Sequence, residues 1–123
     1  MSGRVVHFEI PFDDEKRATE FYTEAFGWNT QEVAGYKLVA SGPTQDMGPA
    51  EPGFINGGLL AREADGASSP VIVVDVPSVD DALAKIEKLG GTTVSGKRDV
   101  GGFGFAAYFK DPEGNLMGLW QNA

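Results

Sequence analysis

The chain has 123 residues, 41% of them hydrophobic and 23% charged, which predicts a single globular domain with its own core. Its formal net charge of −8 argues against nucleic acid, which needs a basic partner surface, and gives no reason to expect an anionic membrane. Without cysteine the chain cannot form disulfides or thiolate metal sites, and without a recognisable signal peptide or membrane-spanning stretch its expected location is the cytoplasm.

The first half of the chain is predicted to form a strand, a helix and three further strands. Residues 5–10 alternate small and large side chains, and Pro11 is expected to end this strand because it has no N–H for a ladder. Asp13 or Asp14 then caps a helix with one apolar stripe, and Gly27 ends that helix. The three strands are predicted at residues 30–34, 36–41 and 54–61, with a loop over residues 42–53.

The same order of elements returns after a linker of small residues over positions 64–69. A strand over residues 70–76 is followed by Pro77, and Ser78 begins a helix with a capping-box pattern. These matches define an internal repeat, with module one at about residues 1–63 and module two at about residues 70–123. Neither module can bury its sheet face alone, so the two are expected to pair within the chain or across a dimer. The last three strands are predicted at about residues 92–100, 103–110 and 115–121.

Two short blocks near opposite ends of the chain carry a family resemblance. They are FYxxxFGW over residues 21–28 and DPEGN over residues 111–115, accompanied by His7 and by Gly58 in an Asn-Gly-Gly-Leu run. This combination resembles the vicinal-oxygen-chelate superfamily of glyoxalases, bleomycin-resistance proteins and extradiol dioxygenases, and especially small bacterial proteins related to lactoylglutathione lyase. The resemblance covers essentially the whole chain. It implies an α+β fold in which two βαβββ modules form curled mixed sheets around a cleft.

The resemblance also implies a divalent metal held by the first and last strands of each module. The equivalent positions in this chain are His7, Gly58, Val73 and Gly118, and only His7 has a side chain that binds metals. A catalytic site of this type needs at least three protein ligands. We therefore expect no complete metal site and no other cofactor.

His7 and Glu9 lie on the same face of the first predicted strand and are the candidate catalytic residues. His7 is the only histidine, so any imidazole chemistry must use it. It could hydrogen-bond a ligand, or either residue could act as a general base. Alternatively, His7 is a half-buried histidine satisfied by a neighbour and Glu9 is a solvated acid at a strand end.

A mainly apolar cleft with few polar groups, the usual composition of a small-molecule site, is predicted between the modules. Aromatic side chains of the later strands are expected to form its floor, although the same residues could simply be core. The predicted lining is His7, Tyr36, Gly58, Val73, Phe105, Gly118 and Trp120.

Four functions remain open from the sequence. The first is a binding or sequestering protein that holds a small, partly apolar molecule in a metal-free cleft. The second is a metal-independent isomerase or lyase that uses His7 or Glu9 as base, and the third is a metal-dependent lyase or dioxygenase with an atypical ligand set. The fourth is a structural or regulatory dimer whose cleft is filled by its own side chains. The resemblance implies a homodimer.

Overall fold

The computed structural model describes residues 3–46 and 48–123, and Met1, Ser2 and Met47 lie outside the described residues. The elements of the first module are β1 (Val5–Phe12), α1 (Glu15–Phe26), β2 (Asn29–Val33), β3 (Tyr36–Ala40), β4 (Thr44–Gln45), β5 (Gly48–Pro49) and β6 (Asn56–Ala61). A short 3-10 turn at Ala64–Gly66 leads to the second module. Its elements are β7 (Val71–Asp75), α2 (Val79–Lys88), β8 (Thr92–Val100), β9 (Gly104–Lys110) and β10 (Leu116–Asn122).

Among the described residues, eight strands form one continuous, curled mixed sheet in the order β2-β3-β6-β1-β7-β10-β9-β8. The first strands of the two modules, β1 and β7, pair antiparallel at its centre, where His7 lies opposite Val73. On either side, β6 pairs parallel with β1 and β10 pairs parallel with β7. The α+β fold with two βαβββ modules is therefore confirmed. The modules are joined edge to edge within one chain, and the predicted loop over residues 42–53 contains the small β4–β5 pair.

Pro11 does not end the first strand, which continues to Phe12. The backbone carbonyl of Phe12 accepts a hydrogen bond from the N–H of Arg62, so the backbone polar groups of Phe12 point toward β6. Consecutive residues of a strand direct their backbone polar groups to opposite sides, so the backbone nitrogen of Pro11 points toward β7. The pairing of β1 with β7 ends at Glu9 opposite Val71, and the missing N–H of Pro11 therefore breaks no ladder hydrogen bond.

Both helices begin, and α1 also ends, as the local patterns predict. The Asp14 carboxylate accepts the N–H of Arg17 at the start of α1, and Gly27 ends that helix with a left-handed φ of 73°. Ser78 caps α2 by accepting the N–H of Asp81. No helix in the described ranges combines the length and the apolar character that crossing a membrane would require.

The two helices differ in how they pack. In α2, Val79 and Leu83 are buried against Ala107 and Leu119, and together they form the core on the outer face of the second module. None of the 12 residues of α1, all of which are described, is buried. The opposite face of the sheet carries a second core cluster, which includes Val73 and Tyr108 and lies beside the cleft.

Candidate functional site

Glu9 is the buried charged residue at the centre of the site, with only 4% of its surface exposed. Its Oε2 atom accepts a hydrogen bond of 2.5 Å from the hydroxyl of Tyr36, and its Oε1 atom accepts one from the hydroxyl of Tyr108. Tyr36 comes from β3 of the first module and Tyr108 from β9 of the second. The carboxylate is therefore held by one hydroxyl from each module.

His7 extends this hydrogen-bond network. Its Nε2 atom lies 3.1 Å from the hydroxyl oxygen of Tyr36. Because the single hydroxyl proton of Tyr36 is donated to Glu9, the Tyr36 oxygen accepts from His7, and the neutral imidazole carries its proton on Nε2. Burial lowers the pKa of His7 from 6.5 to about 4, so the ring is neutral at pH 7. Of the two alternatives for His7, the geometry favours a histidine satisfied by a neighbour.

The hydroxyl of Tyr36 is a permanent donor in this network. Burial first, and then the negative charge of Glu9 and its hydrogen bond, raise the pKa of Tyr36 far above the ordinary value of 10. Ionisation would put a second negative charge beside Glu9 in a desolvated position, which is unfavourable. The order of donation is therefore His7 to Tyr36, and Tyr36 to Glu9.

The pKa of His7 predicts a specific loss of stability in mild acid. In the unfolded chain the imidazole takes up a proton near pH 6.5, whereas in the folded chain it does so only near pH 4. Below pH 6.5 protons therefore favour the unfolded state, and by pH 4 the free energy of unfolding should fall by about 3 kcal/mol. Urea denaturation across this range measures the loss, and NMR of the single imidazole should give a folded-state midpoint near 4.

His7→Gln is the matched control, because it keeps a hydrogen-bond donor and removes the titration. The variant should lose most of the slope between pH 6.5 and pH 4. Hydrogen bonds from Asn115 lower the pKa of Asp111 below its usual 3.8. The stability that the Asp111 carboxylate contributes is therefore lost mainly at a lower pH than the range in which His7 titrates. An imidazole midpoint near 6.5 in the folded protein would contradict the burial of His7.

Two of the positions implied for metal ligands are glycines, and one of them makes room for Tyr36. A Cβ atom added to Gly58 would lie 2.0 Å from the hydroxyl oxygen of Tyr36, so the tyrosine occupies the space that a side chain at position 58 would need. Gly118 lies opposite Tyr108 in the β9–β10 ladder, and a Cβ there would meet Val73 at 3.0 Å and Tyr108 at 3.5 Å. Of the four positions where the resemblance implies metal ligands, that of Gly58 is therefore filled by Tyr36, whereas Gly118 stays at the surface of the cleft.

The residues present do not fit a three-ligand divalent metal site. Within residues 3–46 and 48–123, no three His, Asp or Glu side chains are grouped so that they could hold a metal ion. His7 is engaged with Tyr36, and both carboxylate oxygens of Glu9 already accept hydroxyl hydrogen bonds. We therefore derive no metal-assisted step from this donor set.

A cleft of about 980 Å³ opens over this network. Apolar side chains such as Val73 and Trp120 line it together with polar groups such as Asn56, Asp75 and Arg98. Of the residues predicted to line the cleft, the structure places these at its surface: His7, Tyr36, Val73, Gly118 and Trp120. Gly58 is not part of the lining, because Tyr36 covers it.

The assignment of Phe105 to the cleft is wrong. Phe105 packs in the outer core beside Val79 and Leu83 of α2. Side chains alternate along β9, so Ala106 and Tyr108 point into the cleft instead. The missed residue is therefore Tyr108, and the cross-strand position of Gly118 was the signal that could have found it.

Asn56 is a second residue that the sequence reasoning missed. Its position on β6 is opposite His7, and it lines the cleft. The side-chain oxygen accepts the N–H of Ser41, and the side-chain nitrogen donates to the hydroxyl of Thr44. Asn56 therefore fixes the segment after β3 at the rim of the cleft.

Residues 4–39 match a family model described as bleomycin resistance protein-like N-terminal. Over 124 residues the chain is 28% identical to a glyoxylase-like domain-containing protein of Didymella fabae, a match that covers 97% of this chain and 94% of that protein. It is 31% identical over 123 residues to CFP32 of Mycobacterium bovis, which carries a provisional glyoxylase name. That match covers 92% of this chain but 43% of CFP32, so the chain spans less than half of that relative.

Solved structures share the whole fold at low sequence identity. A variant of methylmalonyl-CoA epimerase from Streptomyces coelicolor, in complex with 2-nitronate-propionyl-CoA, superposes with a TM-score of 0.67 at 18% identity. The superposition covers 100% of this chain and 99% of the epimerase chain. Methylmalonyl-CoA epimerase from Mycobacterium tuberculosis gives a TM-score of 0.62 at 17% identity, over 98% and 88% of the two chains. At these identities the likeness establishes a common fold.

Proposed function

Because this chain belongs to the vicinal-oxygen-chelate superfamily, we propose that it binds a small, partly apolar organic molecule in its cleft without a divalent metal. The observation that carries the proposal is the replacement of metal ligands by a hydrogen-bond network. Tyr36 fills the space above Gly58, and both Tyr36 and Tyr108 donate to Glu9. The site is thus arranged to present fixed polar groups to a ligand.

The composition of the cleft supports an organic ligand of moderate size. A few polar groups among apolar walls are typical of sites that bind small molecules, and a volume of about 980 Å³ lies within the range of such sites. Glu9 and His7 would recognise the polar part of the ligand, while Val73 and Trp120 would contact its apolar part. Since the network is formed before binding, little ordering would be needed when the ligand enters.

A thermal-shift screen tests this proposal. We would screen a panel of small aromatic and aliphatic organic molecules, and separately zinc, nickel and manganese chlorides, against the purified protein. At least one organic compound should raise the melting temperature, because a ligand that prefers the folded state stabilises it. Stoichiometric metal binding with a rise in melting temperature would contradict the metal-free site, and a panel without effect would contradict the binding function.

Variants then locate the compound in the cleft. Tyr36→Phe removes the hydroxyl that links His7 to Glu9 and should weaken binding of a compound found in the screen. Tyr22→Phe is the matched control. Tyr22 belongs to α1, its ring stacks on Trp28, and it does not line the cleft. Equal loss of binding in both variants would place the compound elsewhere.

A second candidate function is metal-independent proton transfer by Glu9. It is supported by the burial of this carboxylate below the cleft and by the fold shared with epimerases. Glu9 would take a proton from a carbon next to a carbonyl group and return it to the same carbon. Incubating propionyl-CoA with the protein in heavy water tests this, because the wild type should replace hydrogen on that carbon by deuterium. Glu9→Gln should abolish this exchange, whereas Tyr22→Phe should preserve it.

A further inference from the structure

The hydrogen-bond network below the cleft uses its own donor protons internally. Tyr36 and Tyr108 both donate to Glu9, and His7 donates the proton of its Nε2 atom to Tyr36. The neutral imidazole therefore keeps a lone pair on Nδ1. A carboxylate offers about four acceptor positions, of which the two hydroxyls occupy two. A polar ligand group that joins this network must therefore donate a hydrogen bond.

The lining of the cleft carries more negative than positive charge. Glu9, Asp46 and Asp75 contribute carboxylates, whereas Arg98 contributes the one guanidinium among the described lining residues. The guanidinium carbon of Arg98 lies 5.9 Å from the centroid of the Tyr108 ring, so an aromatic face already engages this charge. The chain as a whole has a formal net charge of −8. The electrostatic field in the cleft therefore favours a positively charged ligand.

Asp75 and Trp120 lie side by side on the cleft face of neighbouring strands. They are paired in the parallel β7–β10 ladder, so their side chains leave the sheet on the same side, and both line the cleft half-buried. Within the described ranges, no salt bridge and no side-chain hydrogen bond joins the Asp75 carboxylate to another residue. Asp75 is therefore a carboxylate of the cleft that still lacks a counter-charge.

The indole beside Asp75 is held in one orientation. Its Nε1 atom donates a hydrogen bond of 2.8 Å to the side-chain oxygen of Asn122. The ring also lies directly above Gly104, where an added Cβ would collide with it. An indole face is the best aromatic surface for an organic cation, and a neighbouring carboxylate strengthens that attraction.

We propose that the cleft selects an organic amine in its ammonium form, with the ammonium group at Asp75 and Trp120. This inference rests on the proposed binding function and adds the class of ligand. Val71 lies opposite Glu9, and Asp75 follows Val71 by four positions along β7. At about 3.3 Å per residue, the carboxylates of Glu9 and Asp75 belong to different ends of the cleft. One ligand can therefore place its ammonium at Asp75 and a second donor, such as a phenol, at the network of Glu9 and His7.

Three phenols of similar size that differ in charge test the proposal. They are tyramine, 4-ethylphenol and 3-(4-hydroxyphenyl)propionate, and isothermal titration calorimetry measures their dissociation constants with the wild-type protein. Tyramine should bind about tenfold or more tightly than 4-ethylphenol, because only tyramine pairs with the carboxylate, and the propionate should bind most weakly. Raising the salt concentration should weaken the binding of tyramine and leave that of 4-ethylphenol nearly unchanged.

Asp75→Asn assigns the charge selectivity to one residue. This variant should bind tyramine about tenfold more weakly and 4-ethylphenol as the wild type does. Asp80→Asn on α2 is the matched control, because it makes the same change of charge at an exposed position outside the cleft, and it should keep the preference for tyramine.

The outcomes separate this inference from the binding function on which it rests. If 4-ethylphenol or the propionate binds as tightly as tyramine, or if Asp75→Asn keeps the preference, the ammonium class is wrong although the cleft binds organic molecules. A preference for tyramine that is insensitive to salt would also overturn the proposal. If none of the three compounds binds, the ammonium class is again wrong, whereas the binding function fails only if the whole thermal-shift panel has no effect.

Discussion

Replacing Gly58 by alanine is expected to lower the free energy of unfolding by about 4 kcal/mol. The added Cβ would lie 2.0 Å from the hydroxyl oxygen and 2.3 Å from the Cζ atom of Tyr36, so the ring must leave its position. Its departure removes one donor from the buried Glu9 and the acceptor from His7. Urea denaturation of the wild type and the variant measures the loss.

Gly118→Ala is the matched control at the equivalent place in the second module. Its Cβ would meet Val73 at 3.0 Å and Tyr108 at 3.5 Å, which small shifts can relieve, so we expect a loss of only about 1 kcal/mol. An alanine in a strand is otherwise more favourable than glycine, so a large loss at position 58 is diagnostic of the clash. Similar effects at both glycines would contradict the close contact between Gly58 and Tyr36.

A double-mutant cycle assigns the effect to the tyrosine. Tyr36→Ala empties the space above Gly58, so Gly58→Ala should cost little in that background. The coupling between the two substitutions should then account for most of the loss seen for Gly58→Ala alone. Additive effects would show that the glycine matters for another reason.

The sequence predicted those parts of the fold that depend on local signals. Asp14, Gly27 and Ser78 act within a few residues of their own positions, and their pattern was sufficient to place both helices. The repeat of elements predicted two modules, which the sheet order confirms. Pro11 was misjudged because its effect depends on whether a neighbouring strand lies beside it, which is a tertiary property.

The candidate site depends on contacts between distant parts of the chain, and these could be predicted only in part. Glu9 could be mistaken for a solvated acid because its partners Tyr36 and Tyr108 lie 27 and 99 positions away. The alternation along β9 was visible in the sequence, but the side of the sheet covered by α2 was not, and Phe105 was therefore placed in the cleft. Residue types alone indicated a poor metal site, whereas the filling of the space above Gly58 by Tyr36 required the structure.

The second large effect is expected for Glu9→Leu, which should lower the free energy of unfolding by about 3 kcal/mol. Leucine matches the glutamate approximately in size, so packing changes little. The hydroxyls of Tyr36 and Tyr108, however, lose the carboxylate that accepts both of them in a buried position. Urea denaturation at pH 7 measures this loss, because His7 is then neutral in the folded chain and mainly neutral in the unfolded chain.

A triple variant separates the hydrogen-bond network from the shape of the site. Adding Tyr36→Phe and Tyr108→Phe to Glu9→Leu removes the two hydroxyls that had lost their acceptor. Replacing a buried carboxylate and the two hydroxyls bonded to it by apolar groups of similar shape is nearly neutral. His7 then lacks its acceptor on Tyr36, so the triple variant should regain a large part, but not all, of the lost stability. It should nevertheless fail to bind the organic compounds that stabilise the wild type. A triple variant no more stable than Glu9→Leu would contradict this account, since the loss could not then come from unpaired hydroxyls. A stable triple variant that still bound the compounds would mean that Glu9 and its tyrosines do not recognise the ligand.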